Sequence, residues 1–130
     1  MRLLTHNYLK SNVKGTQNGY PLIIEANTIE YIESPIDREL LLKILPKINY
    51  STLKTAVEQI MPLCKQSNID IDELASNLEI PNEDVGTIQN LYKVLFDIHV
   101  TTGGLICPDT GRKFPIVQGI PNMVLHEDEV

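Results

Sequence analysis

The chain has 130 residues and a mass of 14.7 kDa, the size of one compact unit, at most a small domain with an insertion. Hydrophobic residues make up 42% and charged residues 22%, a globular balance that argues against wholesale disorder. The 11 Lys and Arg residues against 17 Asp and Glu residues give a formal net charge of −6. Because a protein that holds nucleic acid on its own surface usually carries a basic face, this charge disfavours a main RNA or DNA binder.

The cysteine content and the apolar runs indicate a compartment. Cys64 and Cys107 are too few for the disulfide framework of a small secreted protein. The first residues contain no apolar run typical of a signal peptide, and no stretch approaches the ~18 uncharged apolar residues of a membrane span. We therefore expect a soluble protein that is cytosolic or nuclear.

The first quarter of the chain has the pattern of strands. Residues 3–5 predict a first short strand, and two further apolar runs cover residues 20–24 and 28–32. The second of these runs alternates polar and apolar residues, and Ala26 and Asn27 suit a turn between them. This pattern predicts a β-hairpin.

The middle of the chain changes to helical periodicity. Ser34 has the place of an N-cap and Pro35 that of a first helical residue, so a helix is expected to begin there. A second helix is expected from Ser51. Pro62 should end or kink it, because proline removes a helical hydrogen bond.

Two further helices are predicted beyond this point. Leu74 and Leu78 indicate a short third helix, and Asn82 is placed to cap a fourth. Residues 70–95 also fit the spacing of a helix-turn-helix, which leaves a nucleic-acid-binding module as an alternative. The recognition helix would, however, begin with Asn82 and two acidic residues, and their carboxylates repel phosphate.

Strand patterns return near the C-terminus, separated by glycine- and proline-containing turns, and the tail from His126 is expected to be frayed. The order strands, helices, strands predicts an α+β fold. Short terminal strands cannot bury a face alone, so they are expected to pair with each other. We predict a small antiparallel sheet domain from residues 1–33 and 100–130, with an inserted helical domain over residues 34–99.

One turn has the shape of a zinc knuckle. The sequence Cys107-Pro108-Asp109-Thr110-Gly111 resembles Cys-Pro-x-Cys-Gly, with a threonine in place of the second cysteine. A structural zinc site needs several thiolate or imidazole ligands, and one cysteine cannot supply them. The sequence therefore predicts a turn without metal.

No motif assembles an active site. The sequence contains no nucleophile elbow, no P-loop and no dinucleotide-binding glycine motif. Cys64 lies on the apolar stripe of a predicted helix, where a buried cysteine behaves as a small hydrophobic residue. The sequence motifs therefore predict no active site, and an enzyme that uses the thiol of Cys64 or Cys107 is left as an alternative.

The last strands are unusually apolar for an acidic chain. Residues 113–125 carry more apolar side chains than a small sheet under one helical layer covers: Phe114, Ile116, Ile120, Met123 and Leu125. An exposed apolar edge strand invites pairing with another chain. Either the helical segment covers this strand, or the strand is a docking edge for another protein, and the pattern alone leaves both open.

The two ends of the chain carry paired motifs, MRLLTHN over residues 1–7, CPDTGRKFPI over residues 107–116 and GIPNM over residues 119–123. Together they resemble the multifunctional methyltransferase-activating subunit family, and the resemblance extends over the whole length. It implies a zinc-ribbon-like sheet made from both termini with an inserted helical domain. It also implies a regulatory subunit of methyltransferase heterodimers rather than an enzyme.

The resemblance implies several partners. Family members bind and stabilise S-adenosylmethionine-dependent methyltransferases that modify tRNA, small-subunit rRNA and the class I translation release factor, and they dock by strand addition. The chain itself is then expected to bind no cofactor, because S-adenosylmethionine is held by the partner subunit, and to contact neither nucleic acid nor membrane directly.

The resemblance also implies a binding surface from the first and last strands. The expected partner-binding residues are Leu3, Thr5, Asn7, Phe114, Pro115, Ile116, Gly119, Ile120, Pro121, Asn122 and Met123. Gly119 and Pro121 are expected to shape a turn, whereas Ile120 and Met123 are the better candidates for direct contact. Asn122 either bonds across the interface or caps the turn.

The metal positions of the family are mostly replaced. Members that bind zinc carry two cysteines near the N-terminus and two at the knuckle, and the corresponding residues here are Ser11, Thr16, Cys107 and Thr110. Since one of the four is a cysteine, no metal is expected. The turn is expected to be held by hydrogen bonds from Ser11, Thr16 and Thr110 and by packing.

Overall fold

The computed structural model describes residues 1–69 and 85–129. Its helices are α1 (Leu3–Tyr8), α2 (Arg38–Ile44), α3 (Tyr50–Gln66) and α4 (Val85–Tyr92), with 3-10 turns at Leu45–Lys47 and Glu127–Glu129 and a π-helical turn at Lys93–Asp97. Its strands are β1 (Ile23–Tyr31), β2 (Ile98–Ile106), β3 (Lys113–Val117) and β4 (Ile120–Pro121). The predicted helix at Leu74 and Leu78 and the Asn82 cap lie outside the described residues. Among the helices that are described, none has the length and apolarity to cross a bilayer.

The described strands form one antiparallel sheet in the order β1-β2-β3-β4. Because β1 comes from the first quarter of the chain and the other strands from its end, the sheet is built from both ends of the sequence, and the predicted α+β fold is confirmed. The inner face carries the buried side chains of Ile24, Leu105 and Phe114. Helix α3 packs against β1, and its Gln59 accepts a hydrogen bond from the backbone N–H of Ile24 at 2.8 Å.

The first segment forms a helix, so the strand predicted over residues 3–5 is wrong. Arg2 still bridges to β2 opposite His99, but the chain then turns into α1. The side chains of Leu3, His6 and Asn7 are all buried. Residues three and four apart lie on one face of a helix, so this spacing lets a single helical turn bury all three.

The hairpin predicted at Ala26 and Asn27 is also wrong, because β1 passes straight through both residues. Ala26 pairs with Gly103 and Thr28 with Thr102, so Asn27 is the extra residue of a β-bulge. Gly103 has a φ of +146°, a conformation that glycine adopts readily. The irregularity that resembled a turn is therefore absorbed within a continuous strand.

Helix α2 begins later than predicted. Its N-cap is Asp37, whose Oδ1 accepts a hydrogen bond from the backbone N–H of Leu40 at 3.0 Å. Ser34 instead lies in the preceding loop, and its hydroxyl donates to Oδ1 of Asp97 at 2.5 Å. Ser34 and Asp37 are both suitable N-cap residues. Because the hydroxyl of Ser34 bonds to the buried carboxylate of Asp97, the helix is capped by Asp37.

Helix α3 is capped by Asn49 and continues to Gln66, so Pro62 does not end it. Glu58 and Pro62 are both exposed. The Glu58 carbonyl that loses its helical donor is thus on the solvent side, where water satisfies it. The apolar stripe predicted around Cys64 is buried. The buried side chains on α3, at the end of α4 and in the π-helical turn include Leu53, Ala56, Val57, Ile60, Cys64, Leu91, Tyr92 and Leu95.

The C-terminal tail up to Glu129 is bonded to the rest of the chain, contrary to the expected fraying. Nε and Nη2 of Arg112 donate to the carboxylate of Glu129 at 2.6 and 3.2 Å. The backbone carbonyl of Glu129 also accepts from the N–H of Lys14 at 2.7 Å. A paired arginine–carboxylate contact of this kind fixes the orientation of both groups.

Candidate docking surface and hydroxyl–thiol cluster

Strands β3 and β4 form a tight hairpin at one edge of the sheet. Gln118 and Gly119 join them with φ values of 52° and 75°, as a two-residue type I′ turn requires. Val117 pairs with Ile120 on either side of this turn, and the two side chains lie on the same face. The turn therefore places two large apolar side chains next to each other at the tip of the hairpin.

This tip is exposed. Val117 is 61%, Ile120 68% and Val124 74% exposed, the highest values among the large hydrophobic residues that the structure describes. With the exposed Pro115, they form what we call the hairpin surface. Exposed apolar patches are common at sites of protein or membrane interaction.

The inner side of the same hairpin belongs to the core. Phe114 is fully buried and Ile116 is 1% exposed, because side chains alternate between the two faces of a strand. The guanidinium of Arg112 lies 4.7 Å from the centre of the Phe114 ring and closes one side of it. The last strands therefore have one covered face and one uncovered face.

The expected partner-binding residues fall into two groups. Leu3, Asn7, Phe114 and Ile116 are buried in the free chain; Phe114 and Ile116 lie on the inner face of β3, whereas Leu3 and Asn7 lie on α1. Asn7 joins α1 to α3, since its amide donates to the carbonyl of Asn49 at 2.9 Å and accepts from the Asn49 N–H at 3.0 Å. Half-buried or exposed are Thr5, Pro115, Gly119, Ile120, Pro121, Asn122 and Met123.

Val117 and Val124 are exposed residues that the sequence analysis did not select. Val117 continues the alternation of Phe114 and Ile116, which puts it on the opposite face from both. That period of two was available in the sequence. Val124 has no comparable signal, because its exposure depends on how the chain leaves β4 and not on a repeating pattern.

The open edge of β4 offers backbone groups for pairing. The N–H of Asn122 donates to the carbonyl of Pro115 at 2.8 Å, so Asn122 faces β3. Its neighbours Pro121 and Met123 then direct their backbone groups to the other side, away from β3. Oδ1 of Asn122 accepts from the N–H of Val124 at 3.1 Å, so Asn122 caps the turn that follows β4.

A second cluster gathers the family's metal positions around one sulfur atom. Sγ of Cys107 lies 3.7 Å from Oγ1 of Thr16 and accepts a hydrogen bond from the backbone N–H of Thr110 at 3.4 Å. We call Ser11, Thr16, Cys107 and Thr110 the hydroxyl–thiol cluster, since Ser11 also influences the pKa of this thiol. The contact between Thr16 and Cys107 joins the turn to the loop after α1.

The cluster changes the acidity of the thiol. Burial raises the pKa of Cys107. Hydrogen bonds lower it by a larger amount, and these come from the side chains of Ser11 and Thr110 and from the backbone N–H groups of Thr110 and Asp109. The net result is a pKa of about 6 against the usual 9.0. By contrast, burial raises the pKa of Cys64 to about 11, so that thiol stays protonated and unreactive.

The cluster does not suit zinc. One thiolate and three hydroxyl groups lack the nitrogen and sulfur ligands of a structural zinc site. Within residues 1–69 and 85–129, no three His, Cys, Asp or Glu side chains come close enough together to hold a metal ion. The loop after α1 and the turn before β3 are instead joined by hydrogen bonds. One of these runs from the N–H of Gln17 to Oδ2 of Asp109 at 2.5 Å.

Together these features define a class of protein: a small α+β docking protein with an uncovered apolar hairpin and a hydrogen-bonded knuckle. The family model described as Trm112p-like protein matches residues 2–119. The chain belongs to the Trm112p-like family, and the family resemblance of its terminal motifs is confirmed.

Similar proteins cover the whole chain. The multifunctional methyltransferase subunit TRM112 homolog A of Arabidopsis thaliana is 35% identical over 130 residues, which is 100% of each chain. The multifunctional methyltransferase subunit TRM112-like protein of Bos taurus is 32% identical and covers 99% of this chain and 98% of its own. In the solved E. cuniculi Mtq2–Trm112 complex, which methylates the eRF1 translation termination factor, one chain matches with a TM-score of 0.57 and 23% identity over 95% of each chain. That likeness supports the fold.

Proposed function

We propose that this chain is a non-catalytic subunit that binds and stabilises S-adenosylmethionine-dependent methyltransferases, with the hairpin surface as its docking site. The observation that carries the proposal is the pair Val117 and Ile120, which are exposed at the tip of a hairpin whose inner face is fully packed. The relatives support it, because they are named multifunctional methyltransferase subunits. The partners are catalytic subunits that modify tRNA, small-subunit rRNA and the class I release factor.

Docking proceeds by strand addition at the open edge of β4. Pro121 has no N–H and offers its carbonyl as an acceptor, while Met123 offers both a donor and an acceptor to an incoming strand. The side chains of Val117, Ile120 and Val124 are then covered by the partner. Burial of each such side chain stabilises the complex by roughly 1.5–3 kcal/mol before the cost of association.

Stabilisation follows from mass action. A subunit that binds only the folded form of its partner stabilises that form by about 4 kcal/mol at a thousand times the dissociation constant. It also covers apolar surface through which the free catalytic subunit aggregates. S-adenosylmethionine binds to the catalytic subunit, and this chain supplies no cofactor ligand.

The sheet domain is zinc-ribbon-like in shape, with the hydroxyl–thiol cluster in place of the metal. The site of action is the cytoplasm and nucleus, where tRNA and rRNA are modified. Free thiols at Cys64 and Cys107 suit such a reducing compartment.

Co-expression tests the proposal. A candidate tRNA, rRNA or release-factor methyltransferase is produced alone, with this chain, with a Val117→Asp variant, and with an Ile36→Asp variant. Ile36 is 39% exposed but lies in the loop before α2, so its substitution is the matched control for a new surface charge. Soluble yield, co-purification and methyl transfer from labelled S-adenosylmethionine are measured.

We expect at least one catalytic subunit to become soluble and active with the wild-type chain and with Ile36→Asp, but not with Val117→Asp. If none of the three classes of methyltransferase co-purifies with the wild-type chain, the proposed function is wrong. If Val117→Asp supports every partner as well as the wild type does, the function stands and the docking site is wrong.

A further inference from the structure

The Ser-Pro dipeptide that resembles a helix start has a different setting in the fold. Ser34 and Pro35 lie in the loop between β1 and α2, and both Glu33 and Pro35 beside the serine are exposed. The whole 130-residue sequence contains no other serine or threonine followed by proline. Ser34 itself is half-buried. A Ser-Pro dipeptide in a loop is the pattern that proline-directed protein kinases accept.

The hydroxyl of Ser34 bonds to the carboxylate of Asp97, a fully buried residue. Ser34 donates to Oδ1 of Asp97 at 2.5 Å, whereas Oδ2 of Asp97 is buried and has no hydrogen-bond partner. The backbone carbonyl of Asp97 also accepts from the N–H of Ile32 at 2.8 Å. The loop is thus held to the π-helical turn through one residue, and the Ser34 hydroxyl is a main donor to that carboxylate.

A cleft of about 560 Å³ opens beside the serine. Its lining includes Arg2 and Arg38, together with the acidic residues Asp37 and Glu39. The guanidinium of Arg2 lies 5.6 Å from the centre of the Phe96 ring, on the wall of the cleft. Two arginines therefore line the same cleft as Ser34, and guanidinium groups bind phosphate in a paired geometry.

We propose that Ser34 is a phosphorylation site and that its phosphorylation releases the loop between β1 and α2 from Asp97. Oγ of Ser34 attacks the γ-phosphorus of ATP in the active site of a proline-directed kinase. The new O–P bond forms as the bond from the γ-phosphorus to the β–γ bridging oxygen breaks, ADP leaves, and the hydroxyl proton passes to the kinase's catalytic carboxylate.

The product cannot keep the original contact. A phosphoserine carries a charge of about −1.5 to −2 at neutral pH and no longer has a hydroxyl proton to donate. It is therefore repelled by the carboxylate of Asp97, which is left buried without its donor. The phosphate turns into the cleft, where Arg2 and Arg38 bind it in competition with the acidic residues there.

The modification is tested on the free full-length chain, so its outcome is independent of methyltransferase binding. The chain is incubated with a proline-directed kinase and labelled ATP, beside Ser34→Ala and Pro35→Ala variants. We expect about one phosphate per wild-type chain and at least a tenfold lower incorporation in each variant. Wild-type incorporation no greater than that of Ser34→Ala overturns the proposal.

Two further measurements test the consequence. The melting temperature of the phosphorylated chain is expected to fall by roughly 5 °C, and the same phosphorylation of Asp97→Asn is expected to lower it by less than half as much. The phosphoserine pKa, read by phosphorus NMR, is expected below about 6 and to rise when Arg38→Gln is introduced. An unchanged melting temperature together with a phosphate pKa insensitive to Arg38→Gln contradicts the release of the loop.

Discussion

Sγ of Cys107 lies 3.7 Å from Oγ1 of Thr16, although 91 residues separate them in the sequence. This contact connects the loop after α1 with the turn before β3, and the backbone N–H of Thr110 donates to the same sulfur at 3.4 Å. Since groups from both segments bond to Sγ, we expect the sulfur of Cys107 to stabilise their packing against each other.

Removal of this sulfur should destabilise the chain. We expect Cys107→Ala to lower the free energy of unfolding by about 1–3 kcal/mol, because the buried donors around it lose their acceptor. Cys107→Ser should cost about half as much, since a hydroxyl oxygen still accepts. Urea unfolding at pH 8 measures both.

The pH dependence of the free energy of unfolding distinguishes a thiolate at Cys107 from a neutral thiol. The folded-state pKa of Cys107, about 6, is depressed below its usual 9.0, so the stability it contributes is complete above pH 9 and is lost as pH falls towards 6. The wild-type free energy of unfolding should therefore rise from pH 6 to pH 9 more than that of Cys107→Ser. Parallel curves would show that the sulfur is a neutral acceptor.

The geometry of the cluster predicts that three substitutions create a zinc site. Sulfur atoms of a tetrahedral zinc site lie about 3.8 Å apart, since each is about 2.3 Å from the metal. The observed 3.7 Å between Cys107 and Thr16 matches this edge. We expect the triple variant Ser11→Cys, Thr16→Cys, Thr110→Cys to bind one zinc per chain by metal analysis, and the wild type to bind none. A folded triple variant without zinc would contradict this geometry.

The β-bulge of β1 should depend on Gly103. A Cβ atom there would fall on the carbonyl oxygen of Glu25, and the φ of +146° is unfavourable for any other residue. We expect Gly103→Ala to lower the free energy of unfolding by about 2–4 kcal/mol. Gly15→Ala is the matched control, with a φ of +89° and open space around its Cβ, and should cost about 1 kcal/mol. Equal losses in chemical denaturation would show that backbone strain alone acts at Gly103.

His6 should make the chain sensitive to acid. Burial lowers its pKa below the usual 6.5, and the Leu22 carbonyl, 2.7 Å from Nε2, only partly opposes this. Since the unfolded chain takes up the proton first, stability is complete above pH 6.5 and falls as pH decreases below it. The free energy of unfolding of the wild type should therefore fall more between pH 7.5 and 5 than that of His6→Gln. A larger loss in the variant would rule out this assignment.

The sequence predicts the class of fold because that depends on periodicities which extend over many residues. The alternation in β3 and the helical stripe through Leu53 and Cys64 are of this kind, and both match the structure. Helix α1 has only six residues, which is too short for the pattern of a strand and of a helix to differ clearly. Its form is decided by tertiary packing of Leu3 and His6.

The docking surface is only partly predictable for a similar reason. The terminal motifs indicate the region, but they do not tell which face of each residue is covered. Met123, one of the two favoured contact residues, packs partly against the core, whereas Val124 beside it is 74% exposed. The exposure of Met123 and Val124 depends on the turn at Gln118 and Gly119 and on the bond from Val124 to Asn122. Neither feature follows from a repeating pattern in the sequence.

The docking claim is tested most directly by the affinity of the purified chain for one catalytic subunit, measured by calorimetric titration. Ile120→Asp places a charge at the centre of the hairpin surface, and circular dichroism confirms that it is folded. For Ile120→Asp we predict a dissociation constant at least 100-fold higher, which is a loss of about 2.7 kcal/mol of binding free energy. For Ile36→Asp we predict less than a threefold change in the dissociation constant. Affinities of both variants within threefold of the wild type would contradict the docking site.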